Sequence, residues 1–331
     1  MAARADTVVM ELRLGIQGSG QLVGDVPPPE HFRDVARLAE EAGFDSLWAG
    51  EHISFENPIL DVTVALASFA AVTSRIAVGA GVVLLPLRPP ALVAKEFASL
   101  DYISGGRVVL GIGVGGEGPK DFEAVGVSAG ERGARTDEAM LALRELFSRS
   151  PASFAGRFSR FEGISIEPRP AQPGGPPLWV GGRSPAALAR AGRLGDGWLP
   201  IWISPERYER GWDEVRRHAE AAGRDADLIV PAAVVPTLAG PDPGRARAEM
   251  REHLSRRYGT AFSPEAVERY AIAGTAEECA ERALAYADAG VRHLVFNPAV
   301  GPPRVREQIE LLAECLAAVA EKRTPVVHNK T

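Results

Sequence analysis

The chain has little lysine, little cysteine and no long apolar run, and each shortage removes a class of function. Lysine occurs only at Lys95, Lys120, Lys322 and Lys330, the other basic side chains are arginine, and no block of like charge is present. With a formal net charge of -6 and an isoelectric point near 5.7, the sequence has no electrostatic footprint for nucleic acid or an anionic membrane surface. No stretch reaches the ~18 apolar residues of a membrane-crossing helix. Residues 1–11 carry scattered charge and read as an N-terminal extension, not a secretory leader. Cys279 and Cys315 both fall in segments of helical periodicity, so no disulfide framework or metal knuckle is expected, and a reducing cytoplasm fits. No His-x-x-x-His or Cys-x-x-Cys spacing offers a metal site, and no Gly-x-Ser-x-Gly elbow joins an apolar run to a helical segment as a serine hydrolase requires. The expected partner is a small molecule.

What is present is a short β-branched apolar run followed by a longer amphipathic segment, repeated along the chain. Apolar runs lie at residues 12–16, 46–49, 76–84, 108–114, 178–180, 197–200, 229–236 and 293–296. Segments with apolar residues at i, i+3, i+4 and i+7 separate them, and a further one at 304–321 closes the chain. Strands alternating with helices predict βαβ units and a parallel sheet. Eight of them predict a closed α/β (β/α)8 TIM barrel, while an open doubly wound sheet shares the same local pattern. At 331 residues the chain exceeds the ~250 typical of a barrel, and one domain over 12–323 with an insertion accounts for the excess. Residues 150–177 break the rhythm with alternating apolar residues and then a proline-rich run, which predicts an inserted hairpin and loop after the fourth βα unit, decorating the active face. A disordered tail is expected over 324–331.

Barrel active sites form where the strands end, so the residues after each apolar run are the candidates. The second run leads into "WAGEHI". There His52 can act as proton donor or acceptor near neutral pH and the adjacent Glu51 can hold a polar ring edge; alternatively the two simply cap a surface loop. The third leads through "VGAGVVLLPLRPP", whose glycines allow a flat ring to approach the backbone or merely ease barrel packing. The fourth gives "GIGVGGEGPKDFEAVG", a flexible loop containing Gly116 and Glu117, the latter catalytic or only solvated; it does not open a helix directly, so it is not a dinucleotide fingerprint. The fifth gives "LWVGGRSPAALARAG", where Ser184 before Pro185 is a helix N-cap and Arg183 adds a cation. That turn is an anion site suited to phosphate, or an ordinary well-capped helix. A phosphate cradle, a ring-sized glycine shelf and little acid-base equipment point to a redox cofactor that brings its own chemistry.

At these same places the chain resembles the luciferase-like monooxygenase superfamily, particularly its deazaflavin (coenzyme F420)-dependent branch. The likeness runs from Leu12 to Glu321 through "FDSLWAGEH", "RIAVGAGVVLLPLRPPALVAKEFASLDYISGGRVVLGIGVG", "ERGARTDEAMLALREL", "LWVGGRSPAALARAGRLGDGWLP" and "GTAEECAERALAYADAGVRHLVF", in order and at matching spacing. The resemblance implies hydride transfer at the barrel mouth, with His52 at the catalytic histidine, Glu51 at the cofactor-contacting acid and Glu117 near a family acid. It puts Gly81, Val82 and Val83 at a bulge behind the ring, commonly holding a non-prolyl cis peptide. Gly116 falls in the fourth loop, and Gly181, Gly182, Arg183 and Ser184 fall on the phosphate turn. The likeness also suggests a homodimer. Two other readings are an FMN-dependent two-component monooxygenase and a non-catalytic barrel that carries cofactor or an aromatic ligand.

Overall fold

The computed structural model describes residues 12–19, 26–55, 57–116 and 118–323. The expectations for residues 1–11, for Glu117 and for the tail 324–331 lie outside the described residues. In chain order the strands are β1 (Arg13–Ser19), β2 (Ser46–Ala49), β3 (Ala77–Leu84), β4 (Val108–Gly113), β5 (Ala152–Ala155), β6 (Arg160–Ile164), β7 (Leu178–Gly181), β8 (Gly197–Leu199), β9 (Val230–Ala239), β10 (Ile272–Gly274) and β11 (His293–Pro298). Around them run α1 (Glu30–Glu41), α2 (Val62–Ala70), α3 (Pro90–Ser104), α4 (Pro119–Ala124), α5 (Arg132–Ser148), α6 (Pro185–Leu194), α7 (Pro205–Ala221), α8 (Pro243–Tyr258), α9 (Pro264–Tyr270), α10 (Ala276–Asp288) and α11 (Val305–Arg323).

Strands β1, β2, β3, β4, β7, β8, β9 and β11 pair in that order, all parallel, and β11 returns to β1. The sheet is therefore a closed (β/α)8 barrel, and the open doubly wound alternative is excluded. Local chemistry starts many of its helices. Ser184, Ser204, Asp242 and Ser263 each cap a helix whose first residue is proline, a position where the missing N–H costs nothing. Thr275 and Glu278 form a reciprocal capping box on α10.

Bulky rings fill the lumen. Trp48 and Trp179 lie 5.4 Å apart there, and both present edges to His293. The Ser46 hydroxyl joins the Trp48 indole N–H and the His293 Nε2, each at 2.7 Å. Gly79 makes room for this packing, since a Cβ on it would sit 2.4 Å from the Trp48 ring. Of the two readings of that glycine, packing is the one the structure gives. The cavity begins above this plug, at the strand ends.

The structure differs from the sequence expectation in three respects. β10 adds to the upper end of β9 through Ile272↔Thr237 to Gly274↔Ala239; three residues are too few to display a period. α4 and α9, at 6 and 7 residues, are short for the same recognition. The third is the placement of the hairpin β5–β6, none of whose residues line the mouth cavity. Glu138 on α5 accepts the amides of Arg157, Phe158 and Ser159 at 2.6–2.8 Å, which pins the hairpin against the flank of α5.

Candidate active site

A cavity of about 280 Å³ opens at the carboxyl ends of the barrel strands. Gln17, His52, Val82, Gly115, Arg183 and Asn297 reach it, each from the end of a different strand. Positions 51, 81 and 182, far apart in sequence, all line this one space.

His52 follows β2, where the barrel wall gives way to the mouth. Its Nδ1 lies 2.9 Å from Oδ2 of Asp121 in the first turn of α4, and its ring stacks on Phe55 at 4.2 Å. Asp121 is only 1% exposed, and its other oxygen accepts the amides of Ile53 and Ser54, both at 2.8 Å. A carboxylate that takes two backbone donors on one oxygen has the second free to accept Nδ1–H, which leaves Nε2 of a neutral ring as the proton acceptor. The same buried group thus orients the imidazole and holds the loop that carries it.

Glu51 also lines the cavity, yet its oxygens are largely committed to the chain. Oε2 accepts the Leu84 amide at 2.7 Å, and Oε1 accepts Arg88 Nε at 2.8 Å together with Arg88 Nη2. Three of the roughly four lone-pair directions of the carboxylate are so used. Burial pushes the Glu51 carboxyl above the ordinary range, and the Arg88 charge and Leu84 amide oppose that shift. Every partner is a donor, so the geometry serves the ionised form. Arg88 in turn reaches Asp61 at 2.6 Å and Glu96 at 3.2 Å, tying the end of β2 to the segment after β3.

The peptide between Gly81 and Val82 is cis. Pairing of β3 with β4 shifts across it, Ala80 facing Leu110 and Val83 facing Ile112. This bulge turns Val82 into the mouth and explains glycines opposite it. A Cβ on Gly111 would lie 2.0 Å from the Ala80 carbonyl oxygen, and one on Gly113 would lie 2.4 Å from the Val82 side chain. The glycine-rich string after the fourth run thus accommodates its neighbour strand.

Three positions expected to touch a ligand are placed elsewhere. Val83 is fully buried in the hydrophobic core and absent from the cavity wall, because the bulge ends there and the side chain again points outward to the helices. Gly116 is exposed and off the wall, and Gly115, with φ of +69°, lines it instead. Ser184 is off the wall as well; its hydroxyl accepts the Ala187 amide at 3.3 Å as the cap of α6. Gly181, Gly182 and Arg183 do line the cavity, with Arg183 donating to the Ile201 carbonyl at 3.0 Å. Sequence reasoning missed Asp121, Arg88, Gln17, Asn297 and Arg257. The strings containing Asp121 and Arg88 were in view, but nothing local marks which carboxylate or guanidinium turns inward. No group of His, Cys, Asp and Glu suited to a metal ion occurs among the described residues.

Comparison with known proteins supplies a context for this geometry. The family described as luciferase-like monooxygenase is matched over residues 10–293. An F420-dependent glucose-6-phosphate dehydrogenase from Kineococcus radiotolerans is 29% identical over 320 residues, covering 88% of this chain and 93% of that one. A solved monooxygenase from Streptomyces bottropensis superposes with a TM-score of 0.82 at 27% identity, covering 92% and 99% of the two chains. An F420-dependent secondary alcohol dehydrogenase shares the fold with a TM-score of 0.83 at 21% identity, over 94% and 99%.

Proposed function

The chain belongs to the luciferase-like monooxygenase family, and on that premise we propose that it is a coenzyme F420-dependent oxidoreductase acting on a small organic substrate at the barrel mouth. The observation that carries this reading is the His52–Asp121 pair, facing the same cavity as the Gly81–Val82 bulge. The cavity fits such a cofactor on chemical grounds. At one wall Arg183 and the N-terminus of α6 offer a cation and helix-end donors suited to a phosphate. Near the centre Gly50 and Gly81 have no side chain to obstruct a flat ring. When bound, the deazaflavin supplies or accepts the hydride.

The chain's own residues do the rest. His52 Nε2 takes the substrate proton when an alcohol is oxidised, or returns it in the reverse direction. Asp121 keeps the ring turned so that Nε2, not Nδ1, faces the reaction. Val82 shapes the surface behind the ring. Glu51 and Arg88 hold β2 and β3 in register at that point, and the remaining lone pair of Glu51 is available to a ring edge.

The second reading, an FMN-dependent monooxygenase, is favoured by the likeness to the Streptomyces bottropensis enzyme. Absorbance titration of the purified protein with each cofactor separates the two. Micromolar binding of F420 with none of FMN is the expected result. The opposite preference would replace the proposal with the monooxygenase, and F420 bound but never reduced by any donor would leave a carrier.

A further inference from the structure

The wall of the cavity opposite the proposed phosphate turn has unused polar groups. Gln17 near the end of β1 and Asn297 near the end of β11 stand on adjacent strands, next to the paired Ile16↔Phe296. In the closed strand order, β1 and β11 lie directly across the barrel from β4 and β7, the strands that lead into Gly115 and Arg183. Gln17 is 8% exposed; its Nε2 reaches the Gly81 carbonyl at 3.4 Å, and its Oε1 is buried with no hydrogen-bond partner. Asn297 is 7% exposed and faces the same space. Arg257, from the last turn of α8, lines the same cavity.

Arg88, Arg190 and Arg304 each meet a carboxylate, whereas the Arg257 Nε is buried without a partner and its guanidinium lies 5.3 Å from the Tyr258 ring. The one carboxylate on the cavity wall among the described residues is Glu51, which Arg88 already holds. Gln17, Asn297 and Arg257 also line a second, narrower hollow with His253, so they form the partition between the two. Burial, and then the charges of Arg257 and Arg256, push the His253 imidazole down to about 4. Arg257 brings a positive charge to this partition, and among the described residues the one carboxylate on the walls of the two hollows is Glu51. A buried polar group lacking a partner is costly, and this wall holds two, Gln17 Oε1 and Arg257 Nε, which favours a ligand that brings polar groups to it.

We infer that the substrate is a small organic acid whose carboxylate is held by Arg257 and the side-chain amides of Asn297 and Gln17. This rests on the reading of the cavity as a redox site. A planar carboxylate is the natural match for a guanidinium fork, and such charge-assisted pairs are the strong ones. The arrangement also separates two anionic groups across the mouth, the cofactor phosphate at Arg183 and the substrate carboxylate at Arg257, so that each arginine has its own anion.

The test is equilibrium binding by calorimetry of glycolate, lactate, 2-hydroxyisovalerate and mandelate, each against its primary amide, to the intact protein with and without saturating F420. The expected result is that acids bind at least about tenfold tighter than amides, that Arg257→Met abolishes this preference, and that Arg256→Met keeps it. Arg256 sits on the same helix but pairs with Glu252 and is 62% exposed, so it controls for net charge. Equal binding of acid and amide, no binding of any acid in either state, or equal losses in the two variants would each overturn the inference. Failure of F420 to bind, with the acid preference intact, would instead sink the redox reading and leave the carboxylate site standing.

Discussion

Asp121 and His52 meet at 2.9 Å across 69 residues of sequence, and the carboxylate is the more deeply buried of the two. The pair is the point where the loop after β2 and the short helix after β4 become one unit. Asp121→Asn keeps an oxygen for the Ile53 and Ser54 amides but weakens the hold on the imidazole. Turnover is expected to fall at least about tenfold with cofactor affinity unchanged, and at least about 100-fold in His52→Ala. Nitrogen NMR of labelled histidine gives a substrate-free check: a preference of His52 for the Nδ1–H tautomer, and loss of that preference in Asp121→Ala. Wild-type turnover in His52→Ala would remove this residue from the chemistry.

Arg88 neutralises a buried carboxylate, so deleting it should cost more than deleting one of its exposed partners. Arg88→Met leaves Glu51, 5% exposed, without its cation, and a loss of about 3–5 kcal/mol is expected. Asp61 is 44% exposed, and Asp61→Ala removes a half-exposed partner and a helix cap worth about 1 kcal/mol. Urea midpoints of the two variants decide; equal losses would show that Arg88 does not stabilise through Glu51.

Gly111 is a second stability test, independent of charge. An alanine there would bring its Cβ to 2.0 Å from the Ala80 carbonyl oxygen, a backbone atom that cannot move without disturbing the bulge. Gly111→Ala should destabilise by about 2–3 kcal/mol, and cofactor affinity should fall with it because the Gly81–Val82 segment is displaced. Thermal unfolding at the wild-type temperature would show the backbone to be more yielding there than its packing implies.

The lumen histidine gives a pH dependence with a definite sign. Burial, and then the Arg13 charge, push His293 down to about 3, against about 6.5 in an unfolded chain. Between those values the unfolded chain binds a proton that the folded chain does not. Stability is therefore complete above about pH 6.5 and falls as pH drops toward 3, at up to about 1.4 kcal/mol per pH unit. His253, pushed down to about 4, adds a second proton over pH 4 to 6.5. His293→Gln should flatten the slope by about one proton between pH 4.5 and 6, measured by urea unfolding at each pH. An unchanged slope would mean that His293 is not kept neutral in the fold.

The alternation of apolar runs and amphipathic segments determined the parallel βα repeat, the order of its strands along the chain and the places where chemistry could sit, because period and chain direction are properties of consecutive residues. The Ser-Pro and Asp-Pro starts of α6, α7, α8 and α9 are local in the same way. The glycines were legible as necessary but not as to purpose: Gly79 faces Trp48 and Gly111 faces the Ala80 carbonyl, while Gly50, Gly81, Gly113, Gly115, Gly181 and Gly182 meet the cavity. What tertiary structure alone decided is partnership. Asp121 on His52, Arg88 on Glu51, and Gln17, Asn297 and Arg257 on one wall are juxtapositions between segments tens to hundreds of residues apart. No local pattern encodes them, since barrel closure, not sequence spacing, brings those strand ends together and determines which polar atoms find a partner and which are left for a ligand.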